Sequence, residues 1–170
     1  MNSKEEYFSI KDVKLIKTPN TWETKSGGTL TVPLALPIET LTKIFLHYSQ
    51  KELREVPENI RGLRIYLVND LPQGKTGRKE FHKIREEIVI VVQGSAKWTC
   101  EDITGDTKEF TLKMGQGIWN RPYIFHTYES LEDHTILAVV CNTLFNPDNP
   151  KTHDTYKEEE FRALQKSLSL

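Results

Sequence analysis

The chain has 170 residues, 37% hydrophobic and 28% charged, with 9 Gly and 8 Pro. That length and mix fit one globular domain, residues 1–170, and exclude a wholly disordered chain. Its 23 Lys and Arg nearly balance 24 Asp and Glu, for a net charge of -1, so no broad field draws it to nucleic acid or anionic lipid.

Residues 1–27 are polar and end in the turn signal Lys25-Ser26-Gly27-Gly28; they hold no apolar signal segment, which gives a cytoplasmic expectation. Thr29–Leu36 alternates and is β-branched, predicting a first strand with an edge or bulge at Pro33. Residues 38–59 carry a weaker pattern that fits a short helix. Beyond them the pattern is β throughout. Strands are predicted at Leu63–Val68, Glu87–Gln93, Ala96–Asp102, Thr107–Leu112, Ile118–Trp119, Phe125–Tyr128 and Thr135–Val140. Turns are predicted at Asp70–Gly74, Thr104–Asp106 and Met114–Gly117. Short strands at this spacing predict an all-β sandwich or barrel. Residues 157–166 have helical composition and predict a terminal helix, its Glu158–Glu160 run forming a solvated first turn. No stretch approaches the roughly 20 apolar residues that cross a bilayer, so no membrane partner is expected. Cys100 and Cys141 match no paired metal motif and read as buried free thiols. Trp98 and Phe110 read as core or wall residues, and His47, His134, His153 and Asp154 as surface residues.

Two segments place ligand-capable side chains inside apolar strands. The first is Glu80-Phe-His82-Lys-Ile-Arg-Glu-Glu87, followed by Gly94; the second runs from Gly117 to His126. Alternation puts Glu80 and His82 on one face of a strand, while the step from His82 to Glu87 reverses the parity and needs a bend to bring Glu87 to the same cavity. Glu80, His82, Glu87 and His126 supply two imidazoles and two carboxylates, a set suited to Zn, Mn, Fe or Ni. The same four also read as a polar network in a pocket without activity.

The spacing of His82, Glu87 and Gly94, with Pro122 and His126 downstream, resembles the two motifs of the cupin superfamily. Glu80 stands where that pattern has its first His, and Tyr123 where many members have Gly. The resemblance spans about residues 62–145 and implies a double-stranded β-helix, or jelly-roll, barrel with a pocket in its mouth and here a short C-terminal helix. Within the cupins, Arg64-Ile-Tyr-Leu-Val-Asn-Asp, His82-Lys83, Val91-Val-Gln-Gly-Ser95 and Pro122-Tyr-Ile-Phe-His126 are similar to the WxcM-like nucleotide-sugar 3,4-ketoisomerases of the RmlC-like group. Glu87 stands where that group often has Gln, and residues 38–60 read as an insertion.

The resemblance implies an isomerase or epimerase acting on a dTDP 4-keto-6-deoxy sugar in surface-polysaccharide biosynthesis, working as a homodimer without a cofactor. Such a reaction needs a base and donors for an oxyanion. His82 is the expected base, with Glu80 sharing that role and His126, Tyr66 and Asn120 donating or orienting. Trp119 and Tyr123 are expected to stack on the substrate, and Arg78, Lys79 and Arg121 to hold its diphosphate. Arg78 and Lys79 read more simply as an exposed polar turn. Two other readings stand beside this one: a metal-dependent cupin enzyme, oxygenase or isomerase, and a non-catalytic sugar-binding cupin.

Overall fold

The computed structural model describes residues 7–17, 21–48, 58–146, 148 and 154–168. Strands are β1 (Lys14–Lys17), β2 (Thr21–Glu23), β3 (Thr29–Thr31), β4 (Arg61–Leu71), β5 (Thr76–Phe81), β6 (Glu87–Gln93), β7 (Ser95–Glu101), β8 (Thr107–Lys113), β9 (Gln116–Asn120), β10 (Phe125–Ser130), β11 (Thr135–Thr143) and β12 (Tyr156–Lys157). A helical turn, α1 (Ile38–Thr40), runs on into Leu41–Phe45, and the chain's long helix is α2 (Glu158–Leu168).

Two antiparallel five-stranded sheets, in the orders β1-β9-β6-β11-β4 and β12-β5-β10-β7-β8, face each other as a jelly roll; β2 and β3 form a separate hairpin. The expected all-β cupin architecture with a C-terminal helix is therefore present. Val89, Val91, Trp98, Ile118, Leu137 and Val139 fill the space between the sheets, with Phe110 packed against them. These are the inward members of alternating strands, so period-two patterning carries the core. Gly117 shows how tight the first sheet is: a Cβ there would lie 2.5 Å from the Val89 carbonyl oxygen.

The first sheet also buries its outer face. Ile88, Ile90, Trp119 and Val140 pack there with Phe45, while Leu34, Leu36, Leu41 and Leu46 cover them. The strand expected over Thr29–Leu36 ends at Thr31 for this reason. Pro33 lacks a ladder N–H, and Leu34 and Leu36 leave the hairpin to pack as side chains on the sheet. The polar N-terminal stretch supplies an unexpected strand, with Lys14 opposite Trp119 across β1 and β9.

A third cluster closes one end. Phe161 of α2 packs against Phe81 and Phe125 at ring-centre distances of 5.2 Å each, and burying such a ring contributes about 2–3 kcal/mol. Glu158, Glu159 and Glu160 form the exposed first turn of α2, as expected. Cys100 and Cys141 are buried and free, and burial pushes the Cys100 thiol up to about 12. His47 and His134 are exposed, the latter paired with Asp70. His153 lies outside the described residues. Among those described, no helix is long and apolar enough to cross a membrane.

Candidate active site

Glu87 opens β6 and is fully buried beneath the barrel mouth. Its Oε1 accepts from Arg78 Nη1 at 3.1 Å and from the Tyr66 hydroxyl at 3.3 Å. Its Oε2 lies 3.5 Å from His126 Nε2 and 3.9 Å from His82 Nε2. Burial alone would raise the Glu87 pKa, but the Arg78 guanidinium, the largest opposing influence, holds the carboxyl well below its usual range.

Arg78 reaches this carboxylate because the backbone is bent there. Arg78 and Lys79 sit in the left-handed region at φ 70° and 59°, where the β5–β10 register shifts between His126 and Thr127. Such a bulge re-aims side chains, and left-handed residues other than Gly are a strain found mainly at functional positions. The re-aimed guanidinium also donates from Nη1 to Glu80 Oε1 at 3.0 Å and from Nη2 to the Tyr66 hydroxyl at 2.9 Å. Burial would lower the Arg78 pKa; Glu87, Tyr66 and Glu80 more than offset that, so Arg78 is a fixed cation. The Tyr66 hydroxyl, buried and facing Glu87, is pushed up to about 12.

Both histidines are set by the backbone. His126 Nδ1 meets the Ile124 carbonyl at 3.0 Å, and His82 Nδ1 meets the Asp154 carbonyl. A carbonyl only accepts, so each Nδ1 carries a proton and each Nε2 is left to face the cluster. Burial, reinforced by the charge of Arg85, drives the His82 pKa well below the ordinary imidazole value against the pull of Glu87. His82 is thus a neutral base at neutral pH.

Three buried polar atoms therefore converge without hydrogen-bond partners among the described residues: His82 Nε2, His126 Nε2 and Glu87 Oε2. Such a set wants a shared proton or a cation. Glu80, His82 and His126 each place one donor atom within 4.8 Å of the others, a group that can hold a metal ion. Two imidazoles and a carboxylate suit a divalent transition metal. The Arg78 guanidinium, bound to both Glu80 and Glu87, stands against a second cation there.

Asp154 fixes the turn that carries His82. Its carboxylate accepts from the backbone N–H groups of Lys83, Ile84 and Arg85 at 3.0, 2.8 and 2.6 Å. It is 6% exposed, not the surface residue its polar surroundings in sequence suggest. This turn also supplies the bend that Glu87 needs to face His82.

The fold gathers Tyr66, Arg78, Glu80, His82, Glu87 and His126. Asn120 lies opposite Glu87 across β6 and β9; its Oδ1 accepts from Trp98 Nε1 at 3.2 Å, and its buried Nδ2 has no partner among the described residues. Trp119 and Arg121 are not in the group. Trp119 faces the outside of the sheet, edge-on to Phe45, and donates to Glu86 Oε2 at 2.7 Å; Arg121 pairs with the same Glu86 and lies over Phe8. Tyr123 packs on Tyr7 and Phe81, and Lys79 is exposed. Sequence reasoning missed the part played by Asp154, which its polar surroundings in sequence do not signal.

The family described as FdtA: WxcM-like, C-terminal matches residues 41–161, so most of the stretch read as an insertion lies inside the match. No curated protein matches the chain. Among solved structures it is similar to QdtA, a sugar 3,4-ketoisomerase from Thermoanaerobacterium thermosaccharolyticum in complex with TDP. That likeness has 19% identity and a TM-score of 0.62, over 95% of this chain and 99% of that one. A 3,4-ketoisomerase from Helicobacter canadensis is 18% identical with a TM-score of 0.61, over 91% and 98% of the two chains. The dTDP-4-dehydrorhamnose 3,5-epimerase of Bacillus anthracis is 14% identical with a TM-score of 0.57, over 86% and 78%.

Proposed function

The chain belongs to the FdtA family of WxcM-like C-terminal domains, and from that premise we propose that it isomerises a nucleotide-activated 4-keto-6-deoxy sugar to its 3-keto form. The observation that carries the reading is His82: neutral, buried, its Nδ1 fixed on the Asp154 carbonyl and its Nε2 lone pair unpartnered. The ring takes the proton from the sugar C3, the C3–H electrons form the enediol double bond, and the C4 oxygen gains a proton. A proton then adds to C4 while the C3 hydroxyl gives up its proton, which leaves the ketone at C3. His126 and Glu80 relay protons beside His82, Tyr66 orients through its bonds to Glu87 and Arg78, and Asn120 Nδ2 donates to the oxyanion. TDP-sugar substrates are favoured because QdtA was solved with TDP. A TDP-4-keto-6-deoxyhexose incubated with the protein should yield the 3-keto isomer. His82→Asn should remove at least about 100-fold of turnover at an unchanged melting temperature; equal turnover in that variant would overturn the assignment.

A second reading has its own observation, the three converging unpartnered atoms. In it, His82, His126 and Glu87, with Glu80 beside them, hold a divalent transition metal that polarises the substrate carbonyl when bound. Elemental mass spectrometry on untagged protein decides it: near-stoichiometric metal supports this reading, and metal-free active protein ends it.

The working unit in this proposal is a homodimer. Leu63, Ile65 and Leu67 form an exposed apolar stripe along the edge strand β4, at 47%, 65% and 54% exposure, which a second copy would cover.

A further inference from the structure

Beside the reactive cluster, a pocket of about 240 Å3 is lined by Arg64, Tyr66, Arg85, Phe145 and Thr155. Its charge is unbalanced. Arg78, Arg121 and Arg162 each face a carboxylate, but among the described residues Arg64 and Arg85 ion-pair with none. Arg85 is only 5% exposed, and its Nε donates to the Thr143 hydroxyl at 2.8 Å. Arg64 reaches Cys141 Sγ at 3.4 Å, with its guanidinium over the rings of Tyr66 and Phe145 at 4.8 and 5.5 Å. Arginine does not give up its proton in proteins, so a guanidinium removed from water calls for an anion.

The kind of anion follows from the lining. Two guanidiniums offer several N–H donors in planar forks, which match the oxygens of a phosphate, and the pocket volume admits a small ligand. Tyr66 is the shared wall: it lines this pocket while its hydroxyl touches Glu87 and Arg78. An anion seated here adjoins the site where the sugar would react. Arg78 and Arg121, assigned this task by sequence alone, are already engaged by Glu80, Glu87 and Glu86.

We propose that Arg64 and Arg85 bind the diphosphate of the substrate, a proposal that rests on the nucleotide-sugar reading of the adjoining cluster. The test is calorimetric titration of inorganic pyrophosphate, thymidine diphosphate and thymidine into wild-type protein, Arg85→Met and Arg64→Gln, each checked for folding by thermal melting. Pyrophosphate and thymidine diphosphate should bind the wild type, thymidine far more weakly, and each variant should lose about 10- to 100-fold in affinity for both anions. Absence of pyrophosphate binding to the wild type, or full affinity in the variants, would overturn the proposal. Pyrophosphate that depends on both arginines, with thymidine diphosphate binding no tighter, would keep the anion pocket and overturn the nucleotide assignment. Should Arg85→Met fail to fold, Arg64→Gln, at a half-buried position, decides between the same outcomes.

Discussion

Replacing Asp154 by Ala removes the acceptor of three backbone N–H groups, those of Lys83, Ile84 and Arg85. Hydrogen bonds to a charged group contribute about 1.5–3 kcal/mol each, so the simple sum is about 4.5–9 kcal/mol. Lys83 and Ile84 are only half-buried, and water can replace the carboxylate there, whereas Arg85 is buried. The expected loss is therefore about 3–5 kcal/mol. Asp154→Asn keeps one acceptor oxygen and should lose about half as much. Urea unfolding followed by tryptophan fluorescence measures both, at a slope of about 1–3 kcal/mol per molar for a small protein. The turn also aims His82, so the folded Asn variant should show a reduced kcat with KM little changed. An Ala variant within about 1 kcal/mol of wild type would refute the claim that Asp154 holds the turn together.

Acid sensitivity should have two stages. His82 has a lowered pKa in the folded protein, so the unfolded chain binds the extra proton below about pH 6.5. Its share of stability is complete above that pH and is lost as the pH falls. Glu87, also lowered, adds a second loss below about pH 4.5 as the unfolded carboxylate takes its proton. Urea midpoints between pH 4 and 8 should be level above pH 7 and fall below it; a midpoint that rises on acidification would contradict both assignments. Sedimentation should show a dimer, which Ile65→Lys on the β4 stripe converts to monomer, while a monomeric wild type would remove the dimer from the account.

Much of the fold is legible because strand alternation is a property of the sequence itself. Thr107–Leu112 follows from it, and Glu87–Gln93 and Thr135–Val140 from their β-branched apolar runs; each lies within a strand of the structure. The same period separates Trp119 from Asn120, since neighbours on a strand face opposite ways: Asn120 points to Trp98 inside and Trp119 to Phe45 outside. Motif spacing locates His82, Glu87 and His126, but not what lies between them. Arg78 enters through a bulge, which leaves no composition signal, and Asp154 acts on a turn about 70 residues earlier. Buried charge is the other gap. Arg85 and Glu86 are assigned no role by sequence alone, yet both are 5% exposed, because the packing of the barrel end rather than local pattern decides their environment.

Proton transfer by His82 is the central claim, and deuterium reports on it directly. A TDP-4-keto-6-deoxyhexose is incubated with metal-free protein in deuterated buffer and followed by proton NMR. The account predicts a 3-keto product carrying solvent deuterium at C4, and loss of the C3 proton signal from recovered substrate, both abolished in His82→Asn. Product that keeps its original hydrogens, or deuterium incorporation that continues without His82, would contradict it.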